Sequence, residues 1–267
     1  MIKQLKNINE AELDSVVCRH LTMSKFMNML SYSAIWFPKL KVLQDKFEGR
    51  MPKVAKSEAI KSHQKWKKMF APELHHQFDE MASRSEQDGR DLLVVNCWYL
   101  GEPNSKQMWS QYSGDAGIAI KTTIRKLSQF VYAWPEYSHV GKVEYVDFSS
   151  HEMSLYEAAQ GCERAFLKDK AYSAEEEVRI VSMAFKHPRC VDMDGEPYTT
   201  ERCSGKNMNN FENPGLYIGI NFSSLVDSIV VSPNAPEWIE KTIAKILRLS
   251  DLNIPIEKFK ETKRVIS

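Results

Sequence analysis

Residues 92–99 constrain the fold of this chain more than any other segment. The run Leu-Leu-Val-Val-Asn-Cys-Trp-Tyr is too apolar to lie at the edge of a sheet. It therefore predicts a buried strand inside a sheet. The chain has 267 residues, 43% of them hydrophobic, which is enough to bury a substantial core.

Strand and helix patterns alternate along the rest of the chain. A strand at residues 15–19, a helix capped by Ser24 and a strand at residues 34–37 predict a β-α-β opening. We expect one α+β domain over residues 1–267, with a mixed or antiparallel central sheet and helices packed on it. The other predicted segments are a helical insertion at 53–90, a short helix after Asn104, strands at 117–121, 130–134, 142–148, 216–220, 228–231 and 254–267, helices at 154–170 and 236–249, and a long loop or lid at 187–214.

Charge and cysteine content exclude several classes of protein. The net charge of +1 is no global signature of nucleic-acid or membrane binding. The five cysteines are odd in number and form no C-x-x-C pair, which argues against a disulfide framework or a zinc site and indicates a reducing cytoplasm. No apolar run approaches the roughly 20 residues that span a bilayer. We expect a cytoplasmic protein without membrane association or a bound metal.

The common sequence motifs of nucleotide and hydrolase folds are absent. The chain contains no G-x-x-x-x-G-K-[ST] phosphate loop, no G-x-G-x-x-G, no G-x-S-x-G and no H-E-x-x-H. The adjacent His75 and His76 would point about 100° apart on a helix, so they are poorly placed to share a metal. Candidate sites must therefore come from less familiar groupings of polar residues.

Four such clusters stand out. In the first, Arg19, His20 and Thr22 end the first predicted strand and would place a cation, an imidazole and a hydroxyl at the mouth of a cleft. A small polar ligand would bind there; the alternative is an exposed strand end with an ordinary salt bridge. In the second, Asp45 and Glu48 flank an aromatic residue and either shape a turn, pair with nearby lysines or serve a site.

The third cluster lies on the predicted short helix after Asn104. It contains Trp109, Gln111 and Tyr112, followed by Asp115 in a turn. Aromatic residues in a helix are typical of a core, whereas Gln111 and Tyr112 are candidates to face a cleft.

The fourth cluster is Glu175-x-Glu177-x-Arg179. Side chains alternate along a strand, so on an extended segment these three would lie on one face. Two carboxylates beside an arginine can hold a sugar hydroxyl, stabilise a developing cation or act as a general base. The alternative is a solvated acidic helix start, where Glu favours the positive helix end.

Taken in order, these clusters resemble a bacterial family known as domain of unknown function twenty-nine seventy-one. The resemblance spans nearly the whole chain, although Lys46 stands where the family usually has proline. The matching segments are Asp45-Lys46-Phe47-Glu48-Gly49, Val95-Asn96-Cys97-Trp98, Met108-Trp109-Ser110-Gln111-Tyr112 with Asp115-Ala116-Gly117-Ile118-Ala119-Ile120, Lys170 with Glu175-x-Glu177-Val178-Arg179, and Val230-Val231-Ser232-Pro233-Asn234-Ala235-Pro236.

The segment Arg19-His20-Leu21-Thr22, with the helix and strand after it, is also similar to the opening of ADP-ribosyltransferases of the DNA-modifying toxin type. This resemblance implies NAD as cofactor, with His20 and Thr22 on the nicotinamide ribose or amide. It implies Glu175 or Glu177 as the catalytic carboxylate. The middle aromatic-serine strand of such enzymes has no unambiguous match here. The further residues that we expect to contact the cofactor are Arg19, Trp109, Tyr112 and Arg179.

Two functional hypotheses follow. The first is an intracellular bacterial effector of an antiphage-defence or toxin-like system that uses NAD or another nucleotide for ADP-ribosyl transfer or glycosidic cleavage. The second is a non-enzymatic module that recognises a partner protein or nucleic acid through basic helices, since residues 39–70 contain ten Lys or Arg against three acidic residues. The same surface would include the C-terminal Lys258, Lys260, Lys263 and Arg264.

Overall fold

A mixed sheet of eight strands organises the protein. The computed structural model describes residues 5–132, 138–159, 161–183, 190–191 and 214–259. In chain order the strands are β1 (Leu5–Lys6), β2 (Val16–Leu21), β3 (Ala34–Pro38), β4 (Leu93–Leu100), β5 (Ile118–Thr123), β6 (Ser138–Lys142), β7 (Glu144–Val146), β8 (Leu167–Asp169), β9 (Glu177–Met183), β10 (Cys190–Val191), β11 (Gly215–Gly219), β12 (Ser228–Val231) and β13 (Ile256–Lys258).

The large sheet runs β1-β6-β9-β4-β2-β5-β12-β13. Its two outer pairs, β1 with β6 and β12 with β13, are parallel, and the inner pairs are antiparallel. Strand β4 lies in the middle with most of its side chains buried, so the predicted interior strand is confirmed. Two smaller sheets, β10-β11-β3 and β7-β8, pack beside it. The predicted mixed α+β class is likewise confirmed.

Strands β2 and β4 pair over fewer residues than the strand pairs on either side of them in the sheet. These two strands pair only at Val17 with Leu100 and Cys18 with Tyr99. By contrast, β2 pairs with β5 along its whole length and β4 pairs with β9 from Leu93 to Tyr99. The strands therefore separate after Cys18 and leave a cleft in the middle of the sheet.

Helices cover the sheet and extend from it. In the last helix Ile239, Ile243 and Leu247 recur at helical spacing and are buried in the main core. Among the described helices, none is both long and apolar enough to cross a membrane. The helices are α1 (Met23–Ser31), α2 (Lys53–Lys67), α3 (His75–Leu92), α4 (Lys106–Met108), α5 (Ile124–Tyr132), α6 (Leu155–Ala159), α7 (Gly161–Arg164), α8 (Phe222–Leu225) and α9 (Glu237–Leu249).

Several predicted elements differ from the structure. The strand predicted at residues 130–134 is wrong over its described part: residues 130–132 end helix α5, in which Ile124 and Leu127 are buried at helical spacing. The predicted helix 154–170 is two short helices followed by strand β8. The predicted strand 142–148 is divided between the end of β6 and β7.

The helical insertion predicted at residues 53–90 is present as α2 and α3. Most of the loop predicted at residues 187–214 lies outside the described residues, and its described part includes β10, which pairs with β11. The predicted terminal strand is described as the short β13, and residues 260–267 lie outside the described part of the chain.

Candidate functional site

The cleft between β2 and β4 forms a cavity of about 600 Å³. Each of the four polar clusters contributes at least two residues to its wall. The sequence-predicted residues that line it are Arg19, His20, Asp45, Glu48, Gln111, Tyr112, Glu175, Glu177 and Arg179. Strand separation in the sheet thus brings together residues more than 150 positions apart in the sequence.

Five charged residues form a buried network on one side of the cavity, which we call the carboxylate cluster: Glu48, Lys168, Glu175, Glu177 and Arg179. The guanidinium of Arg179 is at its centre and is fully buried. Its two terminal nitrogens donate to the carboxylate of Glu48 at 2.6 and 2.8 Å, and its Nε donates to Glu177 Oε2 at 2.5 Å. The carbonyl of Ala165 accepts a further hydrogen bond at 2.7 Å. Arg179, predicted to contact a cofactor, lines the cavity and holds two carboxylates.

Lys168 links the rest of this cluster. Its Nζ donates to Glu175 Oε2 at 2.5 Å and to Glu177 Oε1 at 2.6 Å, and lies 3.7 Å from Glu48 Oε1. Sequence reasoning missed this residue because it assigned the segment to a helix and took Lys170 as the candidate. Lys170 is exposed and does not line the cavity. Alternation within the three-residue strand β8 is too short a signal to have identified Lys168.

The two catalytic candidates have opposite pKa shifts. For Glu177, burial acts to raise the pKa, but Arg179, Glu175 and Lys168 outweigh burial and lower it well below the ordinary value. For Glu175, burial and then the hydrogen bond with Glu177 raise the pKa above the ordinary value. Glu177 is therefore held as a carboxylate, whereas Glu175 is the member of the pair that can take up a proton.

The backbone between these two glutamates is not the continuous strand that alternation predicted. Glu175 ends a 3-10 helix, and β9 begins at Glu177. Between them Glu176 has φ +40° and ψ +54°, a left-handed conformation that is unfavourable for a residue other than glycine. This turn brings Glu175 to Lys168 and the cavity, so both carboxylates reach one site from two different elements.

Gln111 and Tyr112 approach Glu175 from the opposite wall. They lie in a π-helical turn, Trp109–Ser113, that follows α4. The hydroxyl of Tyr112 donates to Glu175 Oε1 at 3.0 Å, and Gln111 Nε2 lies 3.4 Å from the same oxygen. Burial and then Glu175 raise the pKa of Tyr112, so its hydroxyl remains protonated and can donate. Both residues therefore orient the carboxylate that faces the cavity.

His20 is buried in the cavity wall without a polar partner. Neither ring nitrogen has a hydrogen bond among the described residues, and only 6% of the residue is exposed. Its ring packs edge-on against Trp109 at 4.7 Å and Tyr99 at 6.1 Å. Burial lowers the pKa of His20 to about 4, so the ring is neutral at physiological pH.

Three further predicted residues do not meet the cavity. Trp109, expected against a cofactor, is buried behind His20 and donates through Nε1 to the carbonyl of Pro103 at 2.6 Å. Thr22 does not line the cavity, because its hydroxyl caps α1 by accepting from Lys25 N at 3.3 Å. Asp115 is exposed in the turn before β5.

The predicted turn at residues 45–48 is present and positions Glu48. Asp45 Oδ1 accepts from the backbone N–H of Phe47 at 2.8 Å, which closes the turn. Asp45 thus shapes the backbone, while Glu48 reaches into the cluster to hold Arg179.

No metal-binding group of three or more His, Cys, Asp or Glu side chains is found among the described residues. Comparison of the chain with models of protein families, with curated proteins and with solved structures found no match. The function proposed for it therefore rests on the side chains of this cavity and on the residue patterns of the sequence.

Proposed function

We propose that the cavity binds NAD or a related nucleotide and that the chain cleaves the glycosidic bond of its ribose, passing the ribosyl group to water or to an acceptor hydroxyl. One observation carries the proposal. Glu175 is a buried carboxylate at the cavity wall whose oxygens are oriented by Tyr112, Gln111 and Lys168. A pre-oriented carboxylate of this kind is suited to stabilise positive charge that develops on a sugar.

The charges of the cluster favour such a transition state. It contains three carboxylates and two cations, so one additional positive charge would bring its net charge to zero. When the bond from ribose C1′ to the nicotinamide nitrogen breaks, the electron pair leaves with nicotinamide and positive charge develops on the ribose. The acceptor oxygen then bonds to C1′ and gives its proton to Glu175, the group whose pKa is raised.

The neighbours of Glu175 have positioning roles in this reaction. Glu177 is held between Lys168 and Arg179, and these contacts fix the ammonium group that Glu175 shares. The neutral His20 ring, without a partner of its own, is available to hydrogen-bond a ribose hydroxyl or the amide of the ligand. Placement of this chemistry in an antiphage-defence or toxin-like system follows from the sequence resemblance alone.

The test is release of nicotinamide from NAD labelled in that ring, measured with the full chain alone and with DNA, RNA or a cell extract as acceptor. We expect Glu175→Gln to lower the rate at least about 100-fold, since it removes the charge and the proton acceptor. Glu176→Gln is the matched control, because Glu176 is adjacent but exposed and does not line the cavity. Equal rates in both variants, or no release under any condition, would reject the proposal.

A second candidate function is recognition of nucleic acid through helix α2. Trp66 is 57% exposed and Met69 73% exposed at the end of this helix. The neighbouring Lys65 and Lys68 are exposed and have no ion pair in the described part of the chain. Exposed aromatic rings among lysines are suited to stack on unpaired bases and contact phosphates.

This candidate is tested by the binding of a labelled single-stranded oligonucleotide at two salt concentrations. We expect Trp66→Ala to weaken binding about tenfold, because base stacking on an aromatic ring contributes ~1–3 kcal/mol. Trp238→Ala is the control: Trp238 is 59% exposed but has Glu237 and Glu240 beside it. Equal losses in the two variants, or a salt-independent affinity, would reject this surface.

A further inference from the structure

The side of the cavity away from the carboxylate cluster has a different chemistry. Side chains alternate across a strand, so Arg19 lies on the face of β2 opposite to His20. Arg19 lines the cavity together with residues of α1, β3 and β11. We call this region the cation end; it consists of Arg19, Lys25, Asn28, Trp36 and Tyr217.

Arg19 is a half-buried cation without an anion beside it in the described part of the chain. Its Nη2 donates to the carbonyl of Trp36 at 3.3 Å, and no described carboxylate lies within ion-pair distance of its guanidinium. Burial lowers the pKa of Arg19 to about 10. A charge partly removed from water without an anionic partner is unfavourable, so an anion that enters the cavity gains a charge-assisted contact here.

Lys25 and the start of helix α1 also favour an anion beside Arg19. Lys25 also lines the cavity and makes no ion pair in the described structure, so it supplies a second positive charge. It lies in the first turn of α1 with Ser24, where the positive end of the helix dipole favours an anion. Arg19, Lys25 and the helix end thus converge on one region with a positive potential.

An aromatic wall borders the same region. The rings of Trp36 and Tyr217 are 4.8 Å apart, and Tyr32 stacks on Tyr217 at 4.8 Å. The hydroxyl of Tyr217 donates to Asn28 Oδ1 at 2.7 Å, which fixes the ring. A planar base can stack against such rings, while the anion beside it contacts Arg19.

We propose that the cation end binds the phosphorylated part of a nucleotide, with the phosphates on Arg19 and Lys25 and the base against Trp36 and Tyr217. The assignment rests on the proposed function in placing the reacting ribose at the carboxylate cluster. It makes the substrate a nucleoside diphosphate derivative and excludes an uncharged sugar or nucleoside. The bound nucleotide then has its negative phosphates at the cation end, and positive charge develops on its ribose at the carboxylate cluster.

The test is calorimetric titration of the full chain with ADP, adenosine and pyrophosphate. We expect ADP to bind at least about tenfold more tightly than adenosine, a difference of ~1.4 kcal/mol. Pyrophosphate should bind more weakly than ADP because it lacks the base. Arg19→Gln should remove the preference for ADP, and Trp36→Ala should weaken ADP and adenosine alike.

Two further variants distinguish a loss of ADP binding from a loss of the folded structure. Lys25→Gln changes an exposed residue and should weaken ADP binding about threefold at an unchanged melting temperature. Arg125→Gln makes the same chemical change as Arg19→Gln at an exposed arginine outside the cavity and should bind ADP as the wild type does. Equal affinities for ADP and adenosine, or ADP binding that is unaffected by both Arg19→Gln and Lys25→Gln, would overturn the assignment.

These results can be told apart from failure of the proposed reaction. If ADP binds through Arg19 but Glu175→Gln does not slow the release of nicotinamide, the cation end stands and the reaction fails. If Glu175 is required for release but Arg19→Gln leaves the KM for NAD unchanged, the reaction stands and the cation end fails.

Discussion

The two ends of the cavity satisfy their charges in different ways. In the carboxylate cluster each of the five charged groups has at least one oppositely charged partner from the chain itself. Arg179 and Lys168 each donate hydrogen bonds to two carboxylates. At the cation end, the hydrogen bond of Arg19 within the described ranges goes to a neutral carbonyl, that of Trp36. The first end is thus pre-organised by charges of the chain itself, whereas the second end is the one that we propose a bound anion completes. Substitutions at the two ends should therefore affect stability and binding in different proportions.

The largest effect is expected from Arg179→Met. Removing this guanidinium leaves Glu48 and Glu177 buried without their main partner, and breaking a buried ion pair in this way costs about 3–5 kcal/mol. The free energy of unfolding measured in urea should fall by that amount. Arg125→Met, which breaks an exposed ion pair with Asp14, is the control and should change little. A loss below about 1 kcal/mol in Arg179→Met would contradict the view that this end is held by its own charges.

The next effect separates the two glutamates by their pH dependence. The folded pKa of Glu177 lies below its ordinary value of 4.5, so the folded state binds fewer protons there than the unfolded chain does. Its contribution to stability is present above about pH 4.5 and is lost as the pH falls through the folded pKa. Glu175 has the opposite sign: its contribution is present below about pH 4.5 and is lost as the pH rises through its raised pKa.

We therefore expect Glu177→Gln to destabilise the protein at pH 7 by about 2–3 kcal/mol, because buried charged donors lose their acceptor. The difference from wild type should shrink as the pH is lowered to 3. Glu175→Gln should be at least as stable as wild type at pH 7 while losing activity. Urea unfolding from pH 3 to 7 measures both, and a reversed order of the two variants would show that the pair is assigned the wrong way round.

A smaller effect on stability is expected from Arg19→Met, which makes at the cation end the same change as Arg179→Met in the carboxylate cluster. Arg19→Met removes a cation that has no anionic partner among the described residues, so the free energy of unfolding should stay within about 1 kcal/mol of wild type, on the stabilising side. Binding of ADP should nevertheless weaken to the level of adenosine. Urea unfolding and calorimetry on this one variant measure both quantities. A destabilisation above about 2 kcal/mol would mean that the two ends do not differ in the way described.

The smallest effect concerns the backbone that joins the cluster. Glu176 occupies a left-handed conformation that glycine adopts without strain, so Glu176→Gly should keep the stability and the activity of wild type. Glu176→Val places a β-branched residue there and should cost about 1–2 kcal/mol and displace Glu175. Thermal unfolding and nicotinamide release distinguish the two variants. Equal behaviour would indicate that the turn does not position Glu175.

The secondary structure was predicted most accurately where one hydrophobic periodicity extends over a whole helix or strand. Strand β4 and helix α9 are examples, because burial on both faces of a strand or on one face of a helix leaves a repeating pattern. The association of Arg19 and His20 with the late glutamates came from the resemblances to the two families. Whether these groups met in space depended on the separation of β2 and β4, which no local pattern records.

The errors arose where a single residue changed the direction of the backbone. Alternation placed Glu175 on a strand, but the left-handed Glu176 interrupts that strand and still delivers both carboxylates to the site. Ser24 was predicted to cap α1, but Thr22 is the N-cap, and this role takes its hydroxyl away from the predicted ligand contact. Lys168 was missed because three residues of strand carry no recognisable period.

The short pairing of β2 with β4 has a consequence for the mechanics of the sheet. Four strands lie on each side of this seam, β1, β6, β9 and β4 on one and β2, β5, β12 and β13 on the other. The halves are joined at the seam by two residue pairs, whereas β4 and β9 are joined by seven. Backbone pairing between the two halves is therefore weakest at this seam, and the main hydrophobic core, which packs side chains of both halves together, supplies the rest of the connection. Amide hydrogen exchange at Gly101, whose N–H donates to the carbonyl of Val16 at 2.8 Å across the seam, would report how often the seam opens.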